Sequence, residues 1–349
     1  MNSSAADDFL AGANAIREAR TVLIIKPSSL GDIVHALPTV AVIREAAPDA
    51  KIRWVANTEW VPLLANHPHI DEVIPFPRKE FHGATGAARF LDWSRALREP
   101  RPPELAIDLQ GLLRSGLMAK RSRANLRYGL SDAREGARFF HTRSVDVSGK
   151  KHAVDRCLTV AGALGLPLPE EPEFILPEAE IRDETRSKLP TEAFVLFHPF
   201  SRGKGKSIAP SMVPIFCRAV EPMPVVVVGR LTEPMPELPD NTTNLVNNTS
   251  LPELIALIRE ANFTVSVDSG PMHLAAALTD SLLSLHTWSD PLAVGPYRKS
   301  AWVWKNNKIA RVQETPAEWY ASDLPSRLDE DAVLETGVWV RKFLSASPA

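Results

Sequence analysis

Asp32 is the residue of this sequence whose position most favours chemistry. It follows an apolar run at residues 22–25 and a turn of small residues at 27–31, and a helix-like segment begins directly after it. Ligands of open α/β sheets gather at the carboxyl ends of the strands, so Asp32 is placed where a reacting group would stand. Asp also caps helices routinely. From this segment alone, a chemical role and a capping role remain open.

A second candidate site follows another apolar run, at residues 263–267. An Asp-Ser-Gly triplet at 268–270 comes directly after it, and Pro271 stands where the first turn of a helix tolerates proline. Unpaired backbone N–H groups and the helix dipole at such a position form an anion site suited to a diphosphate. His273 lies one turn further on. The alternative is a capped helix with a histidine satisfied in the core.

A basic loop at residues 198–207 follows a further apolar run and ends in Gly-Lys-Ser, as a Walker A motif does. That motif requires glycine where Phe200 stands, so a P-loop is excluded. Ser201 and Lys206 remain candidates for holding phosphates, against the alternative of a solvated charged loop. Glu233, beyond the next strand-like run, is placed to hydrogen-bond a ribose or a base amine, unless it is simply solvated. The sequence has no G-x-G-x-x-G motif, which counts against a nicotinamide or flavin cofactor.

The stretch from residue 114 to residue 156 is distinctly basic, with eleven Lys and Arg residues and four Asp and Glu. Solvated helix faces explain part of this excess, but it also suits an anionic substrate or an anionic bilayer surface. Aromatic residues are sparse among the charges, so nucleic acid is not an expected partner. No metal site is predicted, because the Asp-Glu-Asp run at 329–331 suits a helix start and His67 and His69 lack a third ligand.

Alternating strand-like and helix-like segments must position these residues. In the first half we predict strands at residues 22–25, 52–55, 72–74 and 105–108, and helices at 33–46, 59–65, 84–97, 112–121 and 153–164. In the second half we predict strands at 194–197, 225–228, 263–267 and 282–285, and helices at 210–220, 252–261, 272–278 and 328–344. This rhythm is typical of parallel sheets with crossover helices. A proline-rich segment at 165–192 is interpreted as a linker with an edge element. We therefore expect two doubly wound α/β domains whose strand ends face a shared cleft.

The composition is that of an ordinary globular protein, with 44% hydrophobic and 23% charged residues and a net charge of −2 over 349 residues. This length suggests two domains. Cys157 and Cys217 have no paired spacing, which indicates a reducing compartment without disulfides or a zinc site. Residues 1–20 lack the apolar segment of a signal peptide, and no apolar run approaches 18 residues. We therefore expect a cytoplasmic protein and leave peripheral contact with a membrane open.

Three motifs together resemble those of glycosyltransferase family 9, which contains the ADP-heptose:lipopolysaccharide heptosyltransferases. They are Lys-Pro-Ser-Ser-Leu-Gly-Asp at residues 26–32, Asp-Leu-Gln-Gly-Leu-Leu-Arg-Ser at 108–115 and Val-Asp-Ser-Gly-Pro-Met-His-Leu at 267–274. The stretches at 134–140 and 152–156 most resemble the heptosyltransferase I branch, whose members add the first heptose to Kdo. The resemblance extends from residue 22 to residue 296, and its motifs are specific in combination.

The resemblance implies a GT-B fold, in which two Rossmann-like doubly wound domains face a central cleft. The expected organisation is an N-terminal acceptor-binding domain at residues 1–175 and a C-terminal nucleotide-sugar-binding domain at 176–327. A last helix at 328–349 follows, and its domain partner is left open. The implied reaction is an inverting, metal-independent single displacement without a cofactor, with Asp32 as general base. Pro38 would disturb a helix that Asp32 merely caps, so it favours the base over the cap.

The resemblance also assigns two further sets of residues by motif position. The donor-binding residues that it implies are Ser201, Lys206, Glu233, Thr249, Asp268, Ser269, Gly270 and His273. The acceptor-binding residues that we expect are Ser29, Gly31, Gln110, Arg114 and Arg134. The loop that carries Lys206 is one residue longer than the family pattern, so Lys204 is the alternative phosphate-binding lysine.

The expected reaction is transfer of L-glycero-D-manno-heptose from ADP-heptose to a Kdo residue of the lipopolysaccharide inner core. The partners would be an ADP-sugar donor and an anionic acceptor of the Kdo–lipid A type, met at the cytoplasmic face of the inner membrane. Three alternatives stay open. They are transfer with another nucleotide sugar or acceptor, an isomerase of the same fold that needs no acceptor, and a non-catalytic nucleotide-sugar binder.

Overall fold

The computed structural model describes residues 12–203, 205–314 and 326–346. Two compact units divide the chain between Pro177 and Glu178. Each unit is built on its own sheet, and the two sheets share no strand.

The sheet of the first unit has six parallel strands in the order β3-β2-β1-β4-β5-β6. The central strands are continuous apolar runs because a parallel sheet is covered on both faces, and every residue of β1 is buried. The strands are β1 (Thr21–Ile25), β2 (Lys51–Asn57), β3 (Glu72–Phe76), β4 (Leu105–Asp108), β5 (Leu126–Leu130) and β6 (Arg143–Val145).

Helices connect these strands. They are α1 (Leu30–Ala46), α2 (Val61–Leu64), α3 (Gly83–Trp93), α4 (Leu113–Arg121) and α5 (Ala153–Ala163), with 3₁₀ turns at Thr58–Trp60, Arg78–Glu80, Ala96–Arg98 and Ala137–Phe140. Residues 12–18 are also helical. α1 continues through Pro38, which is buried within it. Pro38 therefore does not end the helix, and it does not decide between a base and a cap at Asp32.

The sheet of the second unit has seven strands in the order β13-β12-β11-β10-β7-β8-β9. All neighbours pair in parallel except β12 and β13, which form a hairpin. Asn306 and Asn307, with φ of 53° and 57°, make the two-residue turn of this hairpin. The strands are β7 (Val195–His198), β8 (Val225–Val227), β9 (Thr242–Asn244), β10 (Phe263–Val267), β11 (Leu282–Leu285), β12 (Trp302–Lys305) and β13 (Lys308–Arg311).

The last helix of the chain packs within the second unit. The helices of this unit are α6 (Asp183–Arg186), α7 (Val213–Val220), α8 (Leu251–Glu260), α9 (Gly270–Leu278), α10 (Pro291–Val294) and α11 (Glu330–Ala346), with 3₁₀ turns at Pro210–Met212 and Val312–Glu314. α11 contacts α7 so closely that a Cβ on Gly337 would lie 2.6 Å from the Cβ of Ala219. Asp329 caps α11 by accepting the N–H of Ala332 at 3.0 Å. The acidic run at 329–331 therefore begins a helix, as the sequence predicts.

Short or interrupted strands account for most of the differences from the predicted elements. All eight predicted strands are present, but β5, β6, β9, β12 and β13 were not predicted. These strands have three to five residues, and several carry Gly, Lys or Arg within them, so their apolar signal is weak. The edge element expected within residues 165–192 is wrong. That segment contains α6 and no strand, because its prolines lack the N–H that a sheet ladder requires.

The first six strands of both sheets follow the same spatial order, which creates the same switch point in each unit. It lies between β1 and β4 in the first unit and between β7 and β10 in the second. On one side of this point the sheet continues with β2 and β3, or β8 and β9, and on the other side with the strands that follow β4 or β10. Ligands of doubly wound folds bind at the carboxyl ends of the strands at this point. The turns that follow these four strands lead to Asp32, Gln110, Lys206 and Asp268.

Candidate functional site

The turn after β1 places Asp32 in the first turn of α1. Its Oδ2 accepts hydrogen bonds from the backbone N–H of Ser29 at 2.8 Å and from the Ser29 hydroxyl at 2.7 Å, which makes a capping box. Its Oδ1 lies 3.7 Å from the ammonium of Lys26, and 43% of the Asp32 side chain is exposed. The capping role is thus present, and it leaves the carboxylate accessible.

Lys26 and Ser28 tie the turn after β1 to the turn after β4. The buried ammonium of Lys26 donates to the carbonyl of Leu109 at 2.7 Å. The N–H of Ser28 donates to the Oε1 of Gln110 at 3.2 Å. Two predicted acceptor residues, Ser29 and Gln110, therefore lie at one edge of the sheet, beside Asp32.

Asp108, the last residue of β4, holds this second turn from beneath. It is fully buried, and its Oδ1 accepts the N–H groups of Gln110 at 2.9 Å and of Gly111 at 3.0 Å. Its Oδ2 accepts the Ser115 hydroxyl at 3.0 Å and lies 3.0 Å from the Nε2 of His141. Gly111 has a φ of 68°, which favours glycine. Asp108 thus positions the backbone of Gln110 and does not itself face a ligand.

A cavity of about 420 Å³ opens beside this edge, and the rings of Phe76, Phe81 and Phe90 form part of its wall. Gln110 and Arg114, both predicted for the acceptor, line it together with Arg78, which sequence reasoning did not single out. The guanidinium of Arg114 lies 5.7 Å from the centroid of the Phe76 ring. Burial lowers the pKa of Arg114, and the charge of Arg78 lowers it further. The Arg114 guanidinium over a ring, with the Arg78 guanidinium in the same cavity wall, suits an anionic ligand with a carbon skeleton.

Two predicted acceptor residues are placed differently. Gly31 is buried within the first turn of α1. The backbone N–H of Arg134 donates to the carbonyl of Gly111 at 2.8 Å, and the Arg134 side chain is exposed. Arg134 therefore lies near the turn after β4, but it is not among the residues that line the cavity.

In the second unit, Lys206 and Asp268 form an ion pair at the switch point. The ammonium of Lys206 lies 2.5 Å from the Oδ2 of Asp268, and the two side chains are 18% and 4% exposed. The Nε2 of His273 lies 3.9 Å from the Oδ1 of Asp268. Ser269 is the N-cap of α9 and Gly270 is its first residue, so backbone N–H groups open toward the same place. The structure thus brings together five of the eight predicted donor residues.

The charge state of this cluster follows from burial. Burial alone would raise the pKa of the Asp268 carboxyl, but the charge that His286 carries at low pH and the hydrogen bond from Lys206 outweigh it and lower that pKa to about 2. Burial lowers the pKa of His286 to about 4, so its ring is neutral near pH 7. Asp268 is therefore ionised at neutral pH and holds the Lys206 ammonium at the N-terminus of α9.

His198, the last residue of β7, contacts the same N-terminus from below. Its Nδ1 lies 3.3 Å from the hydroxyl of Ser269 and 3.4 Å from that of Ser266, and burial lowers its pKa to about 4. Gly229, with a φ of 136°, makes room for this ring, because a Cβ there would lie 3.4 Å from the His198 Nε2 and 3.0 Å from the Phe200 ring. A neutral histidine therefore orients the hydroxyl of Ser269.

Ser201 lies in a closed turn beside Lys206. Its hydroxyl accepts the N–H of Gly203 at 3.2 Å, and its own N–H donates to the hydroxyl of Ser207 at 2.8 Å. Lys204, the alternative phosphate-binding lysine, lies outside the described residues. Among the described residues of this loop, Lys206 is the lysine that contacts Asp268.

Thr249 and Glu233 lie on two loops that are tied together. Arg230 donates to the carbonyl of Asn247 at 2.7 Å and to the carbonyl of Thr249 at 2.9 Å. Thr249 is buried, and Glu233 is exposed on the loop between β8 and β9. Both therefore lie on the β8–β9 side of the switch point.

Sequence reasoning missed several side chains around these two sites. In the first unit it missed His141, which comes from the segment between two unpredicted structures, the 3₁₀ turn at Ala137–Phe140 and β6. In the second unit it missed His286, Trp288 and Lys305, which come from the segment after β11 and from the unpredicted β12. A single Lys or Trp without a periodic or motif context carries no signal of its own.

Across residues 12–203, 205–314 and 326–346, no three His, Cys, Asp or Glu side chains are grouped as a metal site requires. The Nε2 of His67 instead lies 3.0 Å from the carbonyl of Ile175, and burial lowers the pKa of His67 to about 4. Within the same parts of the chain, no helix is both long enough and apolar enough to cross a bilayer.

Known proteins match this sequence along most of its length. A model of glycosyltransferase family 9 (heptosyltransferase) matches residues 93–208 and 224–319, more than half of the chain. Lipopolysaccharide heptosyltransferase 1 of Escherichia coli (strain K12) is 27% identical over 303 residues, which cover 81% of this chain and 92% of that protein. The protein of the same name from Pseudomonas aeruginosa is 28% identical over 296 residues, covering 80% and 82%.

Two solved structures share the architecture. Escherichia coli heptosyltransferase WaaC with ADP superposes with a TM-score of 0.68 and 24% identity, covering 93% of this chain and 99% of that one. Escherichia coli ADP-heptose lipopolysaccharide heptosyltransferase II gives a TM-score of 0.70 and 21% identity, covering 94% and 100%. At these identities the likeness concerns the fold, and it confirms the predicted GT-B class.

Proposed function

The chain belongs to glycosyltransferase family 9, and we propose that it transfers L-glycero-D-manno-heptose from ADP-heptose to a Kdo residue of the lipopolysaccharide inner core. The relatives named lipopolysaccharide heptosyltransferase 1 support the transfer of heptose in lipopolysaccharide synthesis. One observation carries the proposal. The switch point of the first unit bears an accessible carboxylate, and that of the second bears a buried lysine–aspartate pair at a helix N-terminus.

In this proposal Asp32 is the general base. The acceptor hydroxyl attacks the anomeric carbon of the heptose while Asp32 takes its proton. The new carbon–oxygen bond forms on the face opposite the β-phosphate, and the bond to that phosphate breaks, so the configuration at the anomeric carbon inverts. The capping bonds from Ser29 hold the carboxylate in one orientation.

The charge that develops on the departing ADP would be offset by Lys206. Its ammonium is held by Asp268, and the N–H groups at Ser269 and Gly270 supply further donors for the diphosphate. His273, beside Asp268, would contact the diphosphate or the sugar. The Lys206 ammonium and these N–H groups are donors that a diphosphate can use in place of a metal ion, so we propose that the transfer needs no metal and no cofactor.

The nucleoside of the donor would lie on the β8–β9 side of the second unit. There Glu233 is exposed to contact the ribose or the adenine, and Thr249 is held by Arg230. Ser201 would contact a phosphate from the turn that also carries Lys206.

The acceptor would bind to the first unit. Ser29 and Gln110 lie at the edge beside Asp32, and Arg114 presents its guanidinium over the Phe76 ring in the cavity next to them. Gly31, buried in the first turn of α1, would shape the turn that presents Ser29 and Asp32 to the acceptor. The exposed side chain of Arg134 would contact the anionic groups of a Kdo–lipid A acceptor from outside that cavity.

Such an acceptor is anchored in a bilayer, so we also propose a cytoplasmic enzyme in peripheral contact with the inner membrane. The basic stretch at 114–156 supplies the charge for this contact. Within it, the Phe139 ring is 79% exposed, with the guanidinium of Arg138 at 5.5 Å from its centroid. An exposed aromatic ring beside a cation suits the interface of an anionic membrane.

The test is ADP release by the full chain with ADP-heptose, with and without a Kdo-bearing lipid A acceptor, in the presence and absence of EDTA. We expect release that requires the acceptor and is unchanged by EDTA. Turnover of the donor without acceptor would indicate an isomerase or a hydrolase. Binding of the donor without turnover would indicate a binder, and either result contradicts the proposed transfer.

The acceptor assignment has its own test in Arg134→Ala. We expect the KM for the acceptor to rise more than the KM for the donor, because the removed charge lies in the first unit. Lys342→Ala removes an exposed positive charge from α11 and serves as the matched control, with both KM values unchanged. An Arg134→Ala effect confined to the donor would contradict the assignment.

A further inference from the structure

Trp288 is an exposed indole in a loop that is otherwise buried. Its side chain is 57% exposed, whereas its neighbours His286, Thr287 and Ser289 are all buried. Large apolar side chains at the surface are ordinary when they are scattered on mobile loops, and they point to a ligand when a rigid support presents them beside a polar site. Whether Trp288 is an ordinary surface residue or part of a ligand site therefore depends on how rigidly its loop is held and on which polar groups lie beside it.

A buried ammonium clamps the backbone on both sides of Trp288. The Nζ of Lys305, which is 3% exposed, donates to the carbonyl of Thr287 at 3.0 Å and to the carbonyl of Ser289 at 2.8 Å. Burial lowers the pKa of Lys305, and the charges of Asp290 and Asp268 oppose that shift. Burying a charged group is costly unless it is hydrogen-bonded, so the buried ammonium depends on these two carbonyls and holds the loop in place.

A histidine and a helix cap fix the same loop at its two ends. The ring of His286 lies 3.0 Å from the hydroxyl of Ser289 through its Nδ1 and 3.2 Å from that of Ser284 through its Nε2. Asp290 then accepts the N–H of Leu292 at 2.9 Å and caps α10. The indole is therefore presented by a segment whose residues before and after Trp288 are hydrogen-bonded.

The indole also meets the ion pair at the switch point. The ammonium of Lys206 lies 4.4 Å from the centroid of the Trp288 ring, within the range of a cation–π contact. The same ammonium is paired with Asp268. Trp288 thus borders the group that the proposed function assigns to the donor diphosphate.

The order of the strands gives the direction in which a donor would extend. Glu233 and Thr249 lie after β8 and β9, the diphosphate groups lie after β7 and β10, and Trp288 lies after β11. β11 is on the far side of β10 from β8 and β9. A nucleotide sugar with its nucleoside on the β8–β9 side and its diphosphate at Lys206 would therefore place its sugar toward β11.

We propose that Trp288 contacts the sugar of the nucleotide-sugar donor, with its indole as the platform for the carbon face of that sugar, and that Lys305 is the positioning residue that presents it. This inference rests on the proposed function, because it takes the Lys206–Asp268 pair as the diphosphate site. An indole offers a large, rigid apolar face that loses little conformational entropy when a ligand covers it. Trp288 would then select donors by the sugar and leave nucleotide affinity to the other residues.

The test compares ADP with ADP-heptose by calorimetric titration of the full chain and its variants. For Trp288→Ala we expect the Kd for ADP to stay within twofold and the Kd for ADP-heptose to rise by about tenfold, the upper size of an aromatic contact. Trp288→Phe keeps a ring and should recover most of that loss. Trp339→Phe changes an indole that stacks on Phe343 in α11, and this matched control should change neither Kd.

Lys305→Met tests the positioning role. It should reproduce the selective loss for ADP-heptose, with thermal unfolding measured alongside to identify any general destabilisation. Equal losses for ADP and ADP-heptose in Trp288→Ala, or no loss for either, would overturn the inference while the proposed function stands. A wild-type chain that binds neither ligand would overturn both.

Discussion

Two helices of this chain begin with the same capping box, α1 with Ser29 and Asp32 and α8 with Ser250 and Glu253. In both, one carboxylate oxygen accepts the N–H and the hydroxyl of the serine, at 2.8 and 2.7 Å for Asp32 and at 3.0 and 2.9 Å for Glu253. The other oxygen differs. In Glu253 it accepts from Arg182 at 2.7 Å and from the Thr185 hydroxyl at 2.9 Å.

The two carboxylates also differ in how far they are exposed to solvent. Only 2% of the Glu253 side chain is exposed, against 43% for Asp32, whose Oδ1 lies 3.7 Å from the Lys26 ammonium. A buried carboxylate must have its hydrogen bonds satisfied inside the protein, whereas a base must be reached by a substrate. Capping uses one oxygen in both boxes, so a cap and a base are compatible. Access to the carboxylate is what separates a reacting acid from a structural one.

Asp32→Asn should have the largest effect and should show most clearly that the carboxylate of the first capping box serves the reaction. An amide keeps the size of the side chain and can still accept the N–H of Ser29, but it cannot take a proton from the acceptor. We expect kcat to fall by about 10² to 10⁴, the usual range for a general base, with ADP affinity and thermal stability nearly unchanged. Rates of ADP release, calorimetric titration with ADP and thermal unfolding measure the three quantities. Equal losses of turnover and ADP binding would make Asp32 a structural residue.

Glu253→Gln, the matched change in the second box, should have the opposite profile. It weakens charge-assisted bonds to Arg182 and to the hydroxyls of Thr185 and Ser250 in a buried setting, so we expect a loss of about 1–3 kcal/mol in the free energy of unfolding. The hydrogen bonds of Glu253 within the described parts of the chain join it to Arg182, Thr185 and Ser250, none of them a predicted substrate residue, so kcat per folded molecule should not change. Denaturant titration and active-site-normalised rates test this, and a large fall in kcat at wild-type stability would remove the distinction between the boxes.

The sequence predicts the position of Asp32 better than it predicts the buried contacts of Glu253. Asp32 can be found because a continuous apolar strand, a small-residue turn and a helix start follow one another within about a dozen residues, which is a local pattern. The same holds for Asp268 and α9. The alternation of elements predicts two doubly wound domains, but the strand order that places Gln110 beside the turn of Asp32 and Lys206 beside Asp268 is known only from the structure.

Contacts between distant side chains could not be predicted in this way. His141 reaches Asp108 across β5, and Gly129 is needed there because a Cβ would lie 2.1 Å from the His141 ring. Lys305 reaches the loop of Trp288 from the unpredicted β12. Burial of Glu253 depends on Arg182, which lies 71 positions earlier in the chain. None of these pairings has a period or a motif, so only the folded packing reveals them.

The pH dependence of stability should sharpen the comparison further. Burial alone would raise the pKa of Glu253, but its hydrogen bonds from Arg182, Ser250 and Thr185 outweigh it and lower the pKa from 4.5 to about 2. A carboxylate with a depressed folded pKa stabilises the protein above its unfolded pKa, and that contribution is lost as the pH falls through the folded value. The stability difference between wild type and Glu253→Gln should therefore be full above pH 4.5 and shrink toward pH 2. Urea titrations at a series of pH values measure it, and a constant difference would show that ionised Glu253 contributes nothing.

Replacing each serine by alanine should give the smallest effects and still tell the boxes apart. Ser250→Ala removes an N-cap acceptor for the Glu253 N–H, so we expect a loss of about 1 kcal/mol in stability and no change in kcat. Ser29→Ala removes the 2.7 Å bond to Asp32, and the loss of one orienting hydrogen bond of about 1 kcal/mol should lower kcat by up to about tenfold. If both variants lost only stability, the Ser29 hydroxyl would serve the helix alone, and the orientation of Asp32 would depend on the Ser29 N–H bond that alanine retains.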